Sequence, residues 1–208
     1  HKHFNRFRGQ SITMIEIGIF NGGSLRMWKD YFGPHSAIVG VDINAGCKKY
    51  EEPGIQILIG DQADPEFLRD LSKKFPKAAV VVDDGGHRME QQINTLEELY
   101  ITMQDDGVYL CEDTHTSYMP VFGGGYLKPN TFIEHSKKLI DKLNAFHAKE
   151  DAGFSSDYFT YSTESIHFYD SILVIERNRR SPPEMVLYGT ESDFSYIAPS
   201  LSGLNNNV

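Results

Sequence analysis

Cysteine is scarce: Cys47 and Cys111 are the two thiols in 208 residues. That is too few for a disulfide framework or a thiolate metal site, and both read as free thiols. Long apolar runs are missing as well. No stretch approaches the roughly 18 residues needed to cross a bilayer, and no charged segment followed by an apolar core opens the chain. These absences predict a soluble, cytoplasmic protein with no membrane partner. Basic charge is the third shortage, with 20 Lys and Arg against 29 Asp and Glu and a net charge of −9. A nucleic-acid partner would need a basic face, so none is expected. The chain opens on His1 rather than Met, which predicts a piece of a longer polypeptide.

What is present is an ordinary globular composition, 40% hydrophobic and 24% charged, in a length suited to one domain. After a basic, aromatic start (Phe4, Arg6, Phe7, Arg8) that reads as the end of a helix, residues 12–17 form a short apolar run. A Gly-rich turn at 21–24 then leads into Leu25, Trp28, Tyr31 and Phe32 at helical spacing. Apolar runs at 37–43, 55–59, 78–82 and 108–111 predict further strands. Segments 65–75 and 89–103 predict intervening helices, the first with Pro65 in its opening turn. Strands alternating with helices argue for an α/β fold with a mostly parallel sheet covered on both faces. The rhythm breaks at 114–130, a long loop of the kind that forms a lid or substrate wall. A helix carrying Phe132, Leu139, Leu143 and Phe146 follows, then a polar stretch, 149–163, expected to be mobile. Segments 166–168 and 172–175 predict a final antiparallel pair. Residues 1–177 are read as the domain, and the Pro-, Ser- and Asn-rich residues 178–208 as a loosely held tail.

The chemistry-bearing residues gather at predicted strand ends. Glu16, Gly18 and the turn Asn21, Gly22, Gly23, Ser24 give G-x-x-x-G-G rather than the G-x-G-x-x-G of a dinucleotide site, which favours a different adenosine-containing ligand. Glycine there admits a ligand close to the backbone, and the helix N-terminus offers free N–H groups; a purely architectural turn is the competing explanation. Asp42 ends the second strand, where a carboxylate can accept from both ribose hydroxyls or simply cap the strand. Asp61 and Gln62 follow the third strand, within reach of an adenine edge. The fourth and fifth strands end in Asp83-Asp84-Gly85-Gly86-His87 and Cys111-Glu112-Asp113-Thr114-His115. As neighbours they would bring four carboxylates to one edge, which repel unless a cation sits among them, and all-oxygen ligands suit Mg2+. Asp83 or Asp113 could instead cap a following helix. His87, beyond two glycines, could face that ion and accept a proton near neutral pH. His115 could wall the substrate pocket.

These segments (EIGIFNGGSLRMWKDYFG, VGVDIN, GDQAD, VVDDGGH, YLCEDTHTSY and IHFYDSILVIE) resemble the class I S-adenosylmethionine-dependent methyltransferases. Within that class they resemble the metal-dependent macrolide sugar O-methyltransferases of the mycinamicin and macrocin type. The resemblance implies a Rossmann-like seven-stranded, mostly parallel sheet with an antiparallel final strand. It implies S-adenosylmethionine held by Glu16, Gly18, Asn21, Gly22, Ser24, Asp42, Asp61, Gln62 and Asp83. Mg2+ would be held by Asp84, Glu112 and Asp113, with His87 as general base. A sugar or glycoside acceptor would meet His115, Thr116 and Tyr118 in the 114–130 loop. Two departures from the family pattern bear on substrate fit: Gly86 stands where serine is usual, and Met119 where an aromatic residue often follows the tyrosine. A catechol-like diol acceptor, a non-catalytic cofactor-binding module and a metallohydrolase remain the alternatives. Self-association as a homo-oligomer is expected from the aromatic start and from the resemblance.

Overall fold

The computed structural model describes residues 1–148, 153–184 and 186. Seven strands form one sheet in the order β3-β2-β1-β4-β5-β7-β6. Strands β1 (Thr13–Ile17), β2 (Ala37–Asp42), β3 (Ile55–Ile59), β4 (Val80–Asp83) and β5 (Val108–Cys111) run parallel. Strand β7 (Ile172–Arg177) is antiparallel to both β5 and β6 (Thr163–Tyr169), so the last strand in sequence lies inside the sheet and β6 takes the edge. The sheet is the one expected. Among the described residues five α-helices accompany it: α1 (Gly23–Phe32), α2 (Pro65–Lys74), α3 (Met89–Tyr100), α4 (Phe132–Leu143) and α5 (Tyr158–Ser162).

Strand alternation sorts the core into two layers. Met14, Val80, Val82 and Val108 face α1 and the N-terminal aromatics, while Ile15, Ile17, Val81 and Tyr109 face the side of α2, α3 and α4. Helix α2 begins where Asp64 accepts from the Glu66 amide and Pro65 needs no donor.

Several expectations change. The aromatic start is a single 3-10 turn, Asn5–Phe7, rather than a helix end, and Phe4 and Phe7 are buried in this chain's own core. Those rings therefore offer no face for self-association. Of the stretch expected to be mobile, residues 149–152 lie outside the described residues, but Asp157 caps α5 and Thr163 already belongs to β6. The long loop folds into two 3-10 turns, Thr114–Tyr118 and Pro120–Phe122. Most of the expected tail lies outside the described residues; Arg180 near its start donates to the Leu143 and Thr163 carbonyls.

Candidate active site

All five parallel strands end at one edge, and the expected residues stand at those ends or just beyond them. Gly18, just past β1, has φ of +85°, and a Cβ there would sit 2.2 Å from the Asp84 carbonyl oxygen. Two crossing backbones so close leave room for glycine alone. Below this turn Glu16 is buried, and its carboxylate accepts from Ser24 Oγ at 2.9 Å and Trp28 Nε1 at 2.8 Å. Burial pushes its pKa up to about 7 against the pull of those two donors. Asp42 reaches back across the turn: its Oδ2 accepts from the Ile19 and Phe20 amides at 3.2 and 3.1 Å, and its Oδ1 from the Asn44 amide.

These ends enclose a cleft of about 540 Å3 lined by Gly18, Asn21, Ser24, Asp42, Asp61, Gln62, Asp84 and His87, among others. Three residues expected to touch a cofactor do not line it: Glu16, Gly22 and Asp83. Gly22 packs on the Tyr50 ring, which a Cβ would meet at 2.7 Å. Asp83 is wholly buried and leaves the expected four-acid cluster. It shares its strand face with Val81, which points into the layer under α3. Gln62 Nε2 donates to Asp83 Oδ1 at 2.6 Å, and Tyr109 Oη donates at 3.3 Å to Oδ2. Burial lifts the Asp83 carboxyl to about 7, opposed by those donors. The Gln62 amide is also committed, to Thr95 Oγ1 at 2.9 Å and to the Gly86 amide through its Oε1. This buried network fixes the loops after β3 and β4 to α3, so Gln62 shapes the cleft floor with its polar atoms already engaged.

At the mouth of the cleft, ligand atoms of Asp84, His87 and Asp113 lie within 4.8 Å of one another. The register pairing Asp83 with Cys111 sets Asp84 beside Glu112. Asp84 is raised by burial and by Asp113, with His87 opposing; Glu112 is raised by burial, Asp84 and Asp113. His87 and Asp113 both hold left-handed backbone, φ 56° and 53°, a conformation uncommon outside glycine and concentrated at functional sites. Thr116 Oγ1 is shared between the His87 and Asp113 carbonyls, at 2.9 and 2.8 Å. Thr116 is buried, so it braces the two residues instead of walling the substrate pocket as expected. His115 and Tyr118 do line a second, largely apolar cavity of about 430 Å3 between α4 and the β6–β7 turn.

The donor set fits a hard divalent ion: the Asp84 and Asp113 carboxylates converge beside His87, while Glu112 stands outside that group and feels both their charges from beside Asp84. The sequence reading missed Trp28, Gln92, Thr95 and Tyr109. Gln92 and Thr95 were findable as polar residues on the otherwise apolar inner face of α3; Gln92 Nε2 holds the Glu112 carbonyl at 3.0 Å.

The MycE methyltransferase of the mycinamycin biosynthetic pathway, solved with Mg and SAH, superposes with a TM-score of 0.83 at 29% identity, over 96% of this chain and 54% of that one. The fold is the Rossmann-like fold of the class I methyltransferases. Curated O-methyltransferases are among the proteins this chain is similar to. The 8-demethyl-8-alpha-L-rhamnosyl tetracenomycin-C 2'-O-methyltransferase of Streptomyces olivaceus is 33% identical over 86% of this chain and 49% of its own length. The demethylmacrocin O-methyltransferase of Streptomyces fradiae is also 33% identical, over 86% of this chain and 48% of its own. The chain spans about half the length of the curated relatives it matches. No protein-family model matches it.

Proposed function

We propose that this methyltransferase-fold chain carries the active site of a Mg2+-dependent S-adenosylmethionine O-methyltransferase acting on a sugar hydroxyl of a glycosylated natural product. One observation carries the reading: Asp84 and His87 belong both to the wall of the nucleoside-sized cleft and to the acidic cluster at its mouth. A methyl donor in the first therefore lies against an acceptor at the second. The relatives' sugar methylation and MycE's complexes with Mg, SAH and mycinamycin VI support it.

In this reading the Gly18 turn, Asn21 and Ser24 take the methionine end of the cofactor, Asp42 its ribose and Asp61 the adenosine end. Asp84, Glu112 and Asp113 hold Mg2+, and when bound the ion lowers the proton affinity of a vicinal-diol oxygen of the acceptor. His87 removes that hydroxyl proton at Nε2, the nitrogen facing the cluster, as the oxygen takes the methyl group from the sulfonium; the products are a methyl ether and S-adenosylhomocysteine. Asp113, 3.5 Å from Nε2, stabilises the resulting imidazolium. His115 and Tyr118 bridge from the cluster to the second cavity, whose wall also presents Phe132, Ile140 and Phe168, an apolar seat for the aglycone. Calorimetry with S-adenosylhomocysteine tests the cleft. One molecule binds per chain and Asp42→Ala weakens it; absence of binding contradicts the reading.

A further inference from the structure

We propose that His3, His167 and Glu176 form a second metal site, specific for Zn2+ and separate from the catalytic cluster. Glu176 lies in β7 opposite Val108, the first residue of β5, at the end of the sheet away from the active-site loops. His167 comes from the neighbouring edge strand β6, and His3 from the N-terminal segment packed over both. His3 Nδ1 is 2.5 Å and His167 Nε2 3.8 Å from the same Glu176 oxygen, Oε1. The two imidazole rings are 4.8 Å apart, and one ligand atom from each of the three residues falls within 4.8 Å of the others.

Two imidazoles and one carboxylate are a zinc donor set, with a fourth position left for water; Mg2+ prefers oxygen alone. For His3 and Glu176 the atoms facing away from the centre are held as a metal site requires. Tyr169 Oη lies 2.9 Å from His3 Nε2, which orients Nδ1 inward, and Arg6 Nη1 holds Glu176 Oε2 at 3.0 Å, so that Oε1 faces the centre; there it pairs with His3 Nδ1, and His167 Nε2 with Ser165 Oγ at 2.9 Å, two hydrogen bonds that an ion would replace. Side-chain exposures of 11% for His3, 21% for Glu176 and 29% for His167 leave an entry path for the ion while keeping the ligands ordered. A bound Zn2+ would join the N-terminal segment to the β6–β7 edge.

Equilibrium dialysis of the full chain with Zn2+, with Mg2+ in excess, reads the stoichiometry, and thermal denaturation across a Zn2+ series reads the coupling to stability. His87 gives the catalytic cluster some zinc affinity of its own, so Asp113→Asn is run in parallel. The expected result is one Zn2+ per chain that persists in Asp113→Asn and disappears in His3→Ala and His167→Ala. Tm should rise with Zn2+ only in the first two proteins. Tyr169→Phe keeps all three ligands and should weaken this binding about tenfold or more. Should an alanine variant fail to fold, Glu176→Gln, which keeps the side-chain volume and an Arg6 hydrogen bond, must likewise lose the ion. Zn2+ uptake unchanged by the His167 and Glu176 substitutions, uptake lost only in Asp113→Asn, or a Tm indifferent to Zn2+ would overturn the proposal and leave these residues as a hydrogen-bonded brace.

Discussion

His87 Nε2 and Asp113 Oδ2 lie 3.5 Å apart, on loops that leave neighbouring parallel strands, and a single Thr116 hydroxyl bridges the backbone carbonyls of both residues. In the proposed mechanism the pairing joins the proton acceptor to a metal-binding carboxylate, and the brace holds two residues that both have left-handed backbone. His87→Ala should therefore lower turnover by about 10²- to 10⁴-fold, the range of a positioned general base, while leaving S-adenosylhomocysteine affinity nearly unchanged. Thr116→Val should act through position: kcat falls roughly ten- to a hundredfold with little change in KM for S-adenosylmethionine. Steady-state kinetics with both variants checks this, and full activity in His87→Ala contradicts the assigned base.

The crossing at Gly18 makes a second prediction. Gly18→Ala forces a Cβ to 2.2 Å from the Asp84 carbonyl at a φ of +85°, and should cost at least about 2 kcal/mol and weaken S-adenosylhomocysteine binding. Gly23 is the control. It has ordinary φ, and a Cβ there meets nothing within 4 Å, so Gly23→Ala should leave stability equal or improved by about 0.4–1 kcal/mol. Urea denaturation of the two variants separates a backbone requirement from a general sensitivity of the loop.

Glu16 predicts a pH dependence. Its pKa rises from 4.5 to about 7 on folding, so the folded state holds the proton more tightly than the unfolded chain does. The stability it contributes is fully present below pH 4.5 and is lost as pH rises through about 7, a change on the order of 3 kcal/mol. In ligand-free protein, the stability of wild type minus that of Glu16→Gln should fall as pH increases over this window. A difference that stays level or rises places an ionised carboxylate at the site.

Gln62 holds Asp83 through the shortest bond in the buried network, 2.6 Å. Gln62→Leu leaves that carboxyl and the Gly86 amide without this partner, and should destabilise the chain by about 1–3 kcal/mol. Thermal denaturation of this variant measures the loss. A change below about 0.5 kcal/mol would mean that Tyr109 and water satisfy Asp83 without Gln62.

The strand ends were legible because the five parallel strands carry their polar residues at or just after the ends of mostly apolar runs. Placing Asp42, Asp61, Asp84, His87, Glu112 and Asp113 at one edge needed only the pattern and a parallel sheet. Separating Asp83 from Asp84 needed the strand's two-residue alternation carried one step further: Asp83 still belongs to β4 and shares Val81's face, while Asp84 is the first residue outside. Thr116 looked like an exposed loop residue because nothing local reveals that its hydroxyl closes on His87, 29 positions earlier. The insertion of β7 between β5 and β6 was equally hidden, since a hairpin's sequence does not say which strand meets the sheet. His3 and Glu176 are separated by 173 positions, and only the packing of the N-terminal segment brings them together.

Methyl transfer to a sugar under metal control is the central claim, and one assay reaches it directly. Demethylmacrocin and rhamnosylated tetracenomycin acceptors are incubated with the protein and methyl-labelled S-adenosylmethionine, in Mg2+ and in EDTA, and the products are fragmented by mass spectrometry. The account predicts one labelled methyl on a sugar oxygen, abolished by EDTA, restored by Mg2+ and absent with Asp84→Asn. Turnover that survives EDTA, or a label found on the aglycone, would contradict it.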